Sequence, residues 1–334
     1  MWPRSKCCRN NILAAHPAAD AIATLGGETM GTTWSARLVA APSADLHALH
    51  AGIETQLARV VGQMSTWEAD SEISAYNRAA CGTWHAIAPE FQRVLGCALE
   101  IARASNGAFD PTVGPLVGLW GFGADAHCDA PTQAAVQRER RRVDWRRIAL
   151  DRDAGQLLQP GDVRIDLSAI AKGFGVDQVV EWLQAAGVTA ALVEVGGELR
   201  GYGRKPDDAA WHVLVEAGPD EADDVSAPRV LLLDDIAVAS SGDRWHHYQR
   251  DGRRYTHTID PRTGEPHEHA AAAVTVIAHE AMQADAWATA LTVLGGSQGF
   301  ALAQQRGLAA RFLERTETGL RERMTDAFHT HVVA

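Results

Sequence analysis

The chain has 334 residues, 46 % of them hydrophobic and 22 % charged, which is enough apolar chain for one large or two ordinary globular domains with a full core. Its formal net charge of −11 excludes an extended nucleic-acid surface, which needs a basic field. Cys7, Cys8, Cys81, Cys97 and Cys128 form no CxxC pair and no even set, which excludes a disulfide framework and a cysteine zinc site, and no apolar run approaches the roughly 20 residues that cross a bilayer. Residues 1–24 carry Arg4, Lys6 and Arg9 but no continuous apolar stretch ahead of Cys7-Cys8, so no export or lipoprotein signal is written there. They are expected as a leader, and residues 25–334 as the folded domain.

In chain order, Leu46, Leu49, Ile53, Leu57, Val60 and Met64 follow a 3.6-residue period and predict an amphipathic helix over 44–64. Phe91, Val94, Leu95, Ala98, Ile101 and Ala102 predict a second, from Pro89 to the stop signal Asn106-Gly107. Residues 131–147 carry Arg138, Arg140, Arg141 and Arg142, read as a solvated helix face. The first half thus reads as mainly helical. An extended run, Val163 to Leu167, then enters a helix through Val176, Val179, Val180 and Leu183 that stops at Gly187. Ala190–Val195 and Glu198–Tyr202 flank Gly196-Gly197 as a hairpin. Trp211–Glu216, Arg229–Leu233 and Ile236–Ala239 read as strands, and Trp245–Gln249 with Arg253–Ile259 as a hairpin about Asp251-Gly252. Val274–Ala278 is a strand, and a helix runs from about Ala281 to Leu294. Hairpins outnumber parallel crossovers, so the class is α+β, with largely antiparallel sheets flanked by helices.

Several familiar sites are missing. No GxGxxG follows a strand, so no Rossmann unit is expected, and there is no P-loop, HExxH or GxSxG. The histidines at 246, 247, 257, 267 and 269 match no zinc-ligand spacing. The chemistry lies instead in Asp166-Leu-Ser-Ala-Ile-Ala-Lys-Gly173, read with Asp285 and Thr289. A carboxylate and a hydroxyl at i, i+4 share one helical face. Oxygen donors of that kind suit a hard cation such as Mg²⁺, and a lysine beside them suits a phosphate. The joint reading is a magnesium–nucleotide site. Small residues around Lys172 (Ala171, Gly173, Gly175) leave room for a ligand to approach, while Asp166 reads equally as a ligand contact or a turn cap.

Read together, Glu28-Thr-Met-Gly-Thr-Thr33, Met64-Ser-Thr-Trp67, Asp70-Ser-Glu-Ile-Ser74, Gly107-Ala-Phe-Asp-Pro111, Asp166–Gly173, Val195-Gly-Gly-Glu198, Ser240-Ser-Gly-Asp243, His257-Thr-Ile-Asp-Pro-Arg-Thr-Gly264 and Ala284-Asp-Ala-Trp-Ala-Thr289 resemble the FAD:protein FMN transferases, the ApbE flavin transferases. The resemblance runs in order from about residue 26 to about 313. It implies an ApbE-like fold and an Mg²⁺-dependent enzyme that moves FMN from FAD onto a threonine or serine hydroxyl of an acceptor flavoprotein, as a phosphoester, with release of AMP. A FAD pyrophosphatase and a flavin-binding protein without catalysis are the two other readings. Many relatives are periplasmic or membrane-anchored lipoproteins.

By resemblance, the Ala169 carbonyl and the Asp285 and Thr289 side chains hold Mg²⁺. Met30, Trp67, Ala108, Phe109, Asp110, Asp166, Lys172, Thr258 and Ile259 contact FAD. Many members carry tyrosine where this chain has Trp67, which keeps the stacking surface and loses the hydroxyl, and His-Ile-Ile-Asp where it has His257-Thr-Ile-Asp260. An imidazole titrates near neutrality, so His257 is the candidate general base and, with Asp285, the candidate catalytic pair. Gly196, Gly197 and Gly242 are expected to shape the backbone.

Overall fold

A computed structural model describes residues 21–122, 131–215, 229–242, 247–250, 253–266, 273–316 and 319–333. Its centre is an eight-stranded sheet whose strands follow one another in chain order. They are β1 (Ala21–Thr29), β2 (Thr32–Ala40), β3 (Ala191–Val195), β4 (Glu198–Tyr202), β5 (Ile236–Gly242), β6 (Ala273–Ala278), β7 (Ala309–Thr316) and β8 (Gly319–Met324). Every neighbouring pair is antiparallel. The α+β class and the antiparallel pairing expected from the sequence are therefore found.

Register follows from which side chains are buried. Trp34, Ala36 and Leu38 of β2 lie opposite Val195, Val193 and Ala191 of β3. These residues form one apolar stripe, packed with Ile53 and Leu57 of helix α1 (Leu46–Met64) and Val176, Val179, Val180 and Leu183 of helix α3 (Ala171–Ala185). The alternate face takes Val39, Leu192, Val238 and Ile277. A separate hairpin, Trp211–Val215 with Arg229–Leu233, and the short helix Asp326–His329 cover that face through Trp211, Leu231, Leu233 and Phe328. With both faces covered, β3 (ALVEV) and β6 (AVTVIA) read as nearly continuous apolar runs.

A long excursion between β2 and β3 carries α1, helix α2 (Pro89–Ala104), α3 and a small sheet ordered Trp84–Ala86, Gln156–Leu158, Ala149–Asp151. Its own core joins Phe91, Val94, Leu95 and Ile101 to Tyr76, Leu157, Ile165, Leu167 and Phe174. Helix α4 (Ala281–Arg306) follows β6 and packs against α3, β5 and β6.

Several expectations need correction. Helices do outweigh strands in the first half, as expected, but it opens with the unanticipated β1–β2 hairpin, and a small sheet follows. Strand β1 already begins at Ala21, inside the stretch expected as leader. Its sequence, AIATLGGET, offers few β-branched residues in alternation, and the turn is made by Met30-Gly31 at φ 51° and 71° rather than by Asn-Gly. The run Val163–Leu167 joins no strand of a sheet. Ile165 N–H donates to Asn77 Oδ1, and Asp166 N–H to the carbonyl of Pro111. Helix α4 continues past Leu294, with a break at Gly295 (φ 71°, ψ 174°) where the glycine pair reads as an end. Strands β7 and β8 carry no clear sequence signal, because charge interrupts their alternation. In the expected hairpin about Asp251-Gly252, strands His247–Arg250 and Arg253–Thr256 pair, while residues 245, 246, 251 and 252 lie outside the described residues.

The α3–α4 crossing sets the position of everything at the site. Gly173 lies against the first turn of α4, and a Cβ there would sit 2.3 Å from the carbonyl oxygen of Ala281. The small residue expected to admit a ligand admits a neighbouring helix instead. Backbone cannot rotate away as a flexible side chain can, so Gly173→Ala must push the helices apart. The expected cost is about 1–3 kcal/mol, the range for overpacking a close contact, read as a lower urea midpoint. An unchanged midpoint would contradict the tight crossing.

Candidate functional site

Two helix N-termini meet at the site, one bringing a lysine and the other a carboxylate. Lys172 is the second residue of α3, and Asp285 and Thr289 stand one turn apart near the start of α4. The backbone N–H of Gly173 donates to Asp285 Oδ2 at 3.1 Å, tying the carboxylate of one helix to the first turn of the other. Lys172 Nζ donates to Glu198 Oε1, at the start of β4. Gly196, in the preceding turn (φ 61°), lets that hairpin tip close onto the lysine: a Cβ would lie 2.8 Å from Thr32 and 3.3 Å from the Lys172 stem. Strand β5 contributes Ser241, whose hydroxyl lies 3.1 Å from that of Thr289.

Burial and pairing set the charges. Asp285 is 3 % and Glu198 3 % exposed, too buried to hold charge without partners. Burial raises the Asp285 carboxyl above its ordinary value, while Lys172 and the Gly173 N–H favour the charged form. Glu198 is raised as well, first by burial and then by the negative Asp285, against the pull of Lys172. Its Oε2 is buried and has no hydrogen-bond partner. For Lys172 burial works toward a lower value, but Asp285 and Glu198 outweigh it and hold the ammonium above its ordinary range. Lys172 is thus a fixed positive charge and not a proton acceptor.

These groups line a cavity of about 810 Å³, large enough for a sizeable organic ligand. Of the residues expected at the site, Trp67, Ala108, Phe109, Asp110, Asp166, Ala169, Lys172, His257, Thr258, Ile259, Asp285 and Thr289 all face it. Trp67 is 67 % exposed, so its ring is open for stacking. His257 meets Phe122 edge-on, with ring centroids 6.4 Å apart. Met30 stands apart. It packs between the two cores of the helical layer, and its neighbour Gly31 reaches the cavity in its place.

Two carboxylates are committed to structure. Asp110 accepts from the N–H and hydroxyl of Thr112 at 2.8 and 2.6 Å and from Trp145 N–H at 3.1 Å. Both its oxygens hold the loop, and burial raises its pKa despite these donors. Asp260 is held bidentately by Arg262 at 2.9 and 2.8 Å, so both its oxygens are already engaged. Asp166 accepts from Ser168 N–H at 2.8 Å, so it caps the turn into α3 and also faces the cavity. Glu198 and Ser241 are the site residues that sequence reasoning missed. Both lie in segments singled out above (Val195–Glu198 and Ser240–Asp243), but only the fold reveals that their side chains turn toward Lys172 and Thr289.

The donor set fits a hard cation. The Asp285 carboxylate, the Thr289 and Ser241 hydroxyls and Ala169 line one cavity, and their donors are all oxygens. Among the described residues no three His, Cys, Asp or Glu side chains converge as a metal cage. A cation here would complete its shell with water or ligand oxygens, as Mg²⁺ does beside phosphates. Of the histidines at 246, 247, 257, 267 and 269, those at 246, 267 and 269 lie outside the described residues.

The sequence model of the ApbE family matches residues 30–312. The FAD:protein FMN transferase of Vibrio cholerae is 35 % identical over 306 residues, covering 91 % of this chain and 91 % of its own length. That of Haemophilus influenzae is 35 % identical over 323 residues, covering 95 % and 93 %. The crystal structure of Pseudomonas stutzeri flavinyl transferase ApbE, in its apo form, superposes with a TM-score of 0.87 at 35 % identity, covering 95 % of this chain and 98 % of that one.

The Glu198 carboxyl makes stability depend on pH. Its folded pKa lies above the ordinary 4.5, so its contribution is complete below the unfolded value and is lost as pH rises through the folded one. Glu198→Gln does not titrate. Without metal or nucleotide, the melting temperature of the variant should gain on that of the wild type between pH 5 and pH 9. A constant or shrinking difference in calorimetry would contradict the raised value.

Proposed function

The chain belongs to the ApbE family and is a transferase of its FAD:protein FMN class, and from that premise we propose the finer reaction. The chain moves FMN from FAD to a threonine or serine hydroxyl of an acceptor flavoprotein, with Mg²⁺ bound, and AMP leaves. The observation that carries this reading is the convergence of Lys172, Asp285, Thr289 and Ser241 with Trp67, Phe109, Phe122 and His257 on one cavity. FAD has the matching character, a doubly charged pyrophosphate between two flat heterocycles.

Each residue then has a task. Trp67 offers an open aromatic face to a heterocycle, and Phe109, Val117 and Ile259 supply apolar wall. Lys172, kept charged by its two carboxylate neighbours, places a fixed ammonium toward the pyrophosphate. Asp285, Thr289, Ser241 and the Ala169 carbonyl would hold Mg²⁺, which when bound neutralises phosphate charge and fixes the geometry of the leaving group. Asp285 is held still by the Gly173 N–H, so little reorganisation is needed when the ligand arrives.

The bond changes are those of a phosphoryl transfer. The acceptor hydroxyl oxygen bonds to the FMN phosphorus as the bridging P–O bond breaks, and the bond's electron pair leaves on the phosphate of AMP. His257 takes the hydroxyl proton. The resemblance supports that role, and so does elimination of the neighbouring alternative, since Asp260 is engaged by Arg262.

The test is incubation with FAD, Mg²⁺ and candidate flavoproteins, reading AMP release together with the intact mass of each protein. The expected result is AMP matched by an FMN adduct on a threonine or serine. AMP with free FMN and no adduct would make water the acceptor, and the chain a pyrophosphatase. In the same assay Asp285→Ala should abolish transfer while the circular dichroism spectrum is unchanged, since it removes the one carboxylate of the cation site. Full activity of that variant in Mg²⁺ would overturn the site. His257→Ala should still bind FAD but transfer FMN about 10²- to 10⁴-fold more slowly, the usual worth of a general base. A parental rate would remove His257 from the reaction.

A further inference from the structure

Helix α4 carries Asp285 and Thr289, yet its N-terminus has no side-chain cap of its own: Glu280 at the cap position makes no such bond. The cap comes from another helix. Asp177 of α3, 0 % exposed, accepts from Ala281 N–H through Oδ1 at 2.9 Å and from Met282 N–H through Oδ2 at 2.9 Å. Arg200 of β4, itself buried, donates to Asp177 Oδ1 at 2.9 Å and reaches Asp235 at 3.4 Å with its other terminal nitrogen.

Two bonds therefore cross between the same two helices in opposite directions. One turn of α3 donates Gly173 N–H to Asp285, and the next turn offers Asp177 to the first N–H groups of α4, one turn before Asp285. Two clamps a turn apart fix both the axial position and the rotation of α4 against α3. A carboxylate suits the upstream clamp because it accepts from two N–H donors and a guanidinium at once and complements the positive end of the helix. An amide would turn an N–H₂ toward one of those donors.

We propose that Asp177 is a positioning residue for the cation site: it holds α4 so that the Asp285 carboxylate and the Thr289 hydroxyl stand ready beside Lys172. The proposal rests on the metal reading above. It assigns Asp177 no contact with FAD or with the cation.

The test is Mn²⁺ binding to the full chain, followed by electron paramagnetic resonance with FAD present, for the wild type and Asp177→Asn. FAD affinity measured without metal should stay at the wild-type value. The Mn²⁺ dissociation constant should rise about 10- to 100-fold, the usual effect of losing a group that orients a metal ligand. A residue that merely stabilises the fold would lower the melting temperature and leave Mn²⁺ affinity unchanged, and that result would overturn the proposal. Where the asparagine variant is not recovered, Asp177→Glu keeps the charge but lengthens the reach, and the same weakening of Mn²⁺ is expected with the same overturning result. A wild-type protein that takes up no Mn²⁺ would sink the metal reading and this proposal with it. Wild-type binding matched by the variants would sink the role of Asp177 alone.

Discussion

The site depends on one close contact, the crossing of α3 and α4 at Gly173. No side chain separates the two helices there, so a backbone N–H of one reaches a side-chain carboxylate of the other. That bond orients Asp285, and the same turn of α3 carries Lys172. Moving the helices apart by the width of a methyl group would uncouple the carboxylate from the lysine that balances it. The meandering sheet behind them provides the remaining constraint. Strands β3 and β4 deliver Glu198 at a glycine turn, β5 delivers Ser241, and both helices pack on the same sheet face.

Charge explains why this arrangement suits the proposed ligands. Lys172 lies between two buried carboxylates, each raised by burial and each opposed by the same ammonium. One lysine cannot fully offset both in a low-dielectric wall. In the proposed reaction a divalent cation would supply the missing positive charge, and a pyrophosphate arriving with it would find an ammonium already fixed. The buried, unpartnered Glu198 Oε2 is the visible sign of that imbalance. Such local cost is characteristic of sites built for function rather than stability.

Much of the site was legible in the sequence because it is carried by short segments with local geometry. The spacing of Asp285 and Thr289 placed them on one helical face, and Lys172 stands at the helix opening as its segment implied. The Gly196-Gly197 hairpin was legible because its turn needs positive φ at both residues. The contributions of Glu198, Ser241 and Asp177 were not, because each acts across a tertiary contact that no spacing encodes. The role of Gly173 was misread for the same reason: smallness shows that something approaches, not what. Met30 illustrates the reverse. The resemblance puts it at the flavin, but its thioether fills a gap between two cores, as a flexible side chain readily does.

The most direct test of the whole account is where a cation and a nucleotide settle together. A crystal of the chain soaked with Mn²⁺ and FAD, measured at the manganese absorption edge, locates the metal without ambiguity. The account predicts one anomalous peak within coordination distance of the Asp285 carboxylate and the Thr289 hydroxyl, bridging to pyrophosphate oxygens that face Lys172. A peak elsewhere, or a pyrophosphate bound away from Lys172, would contradict it.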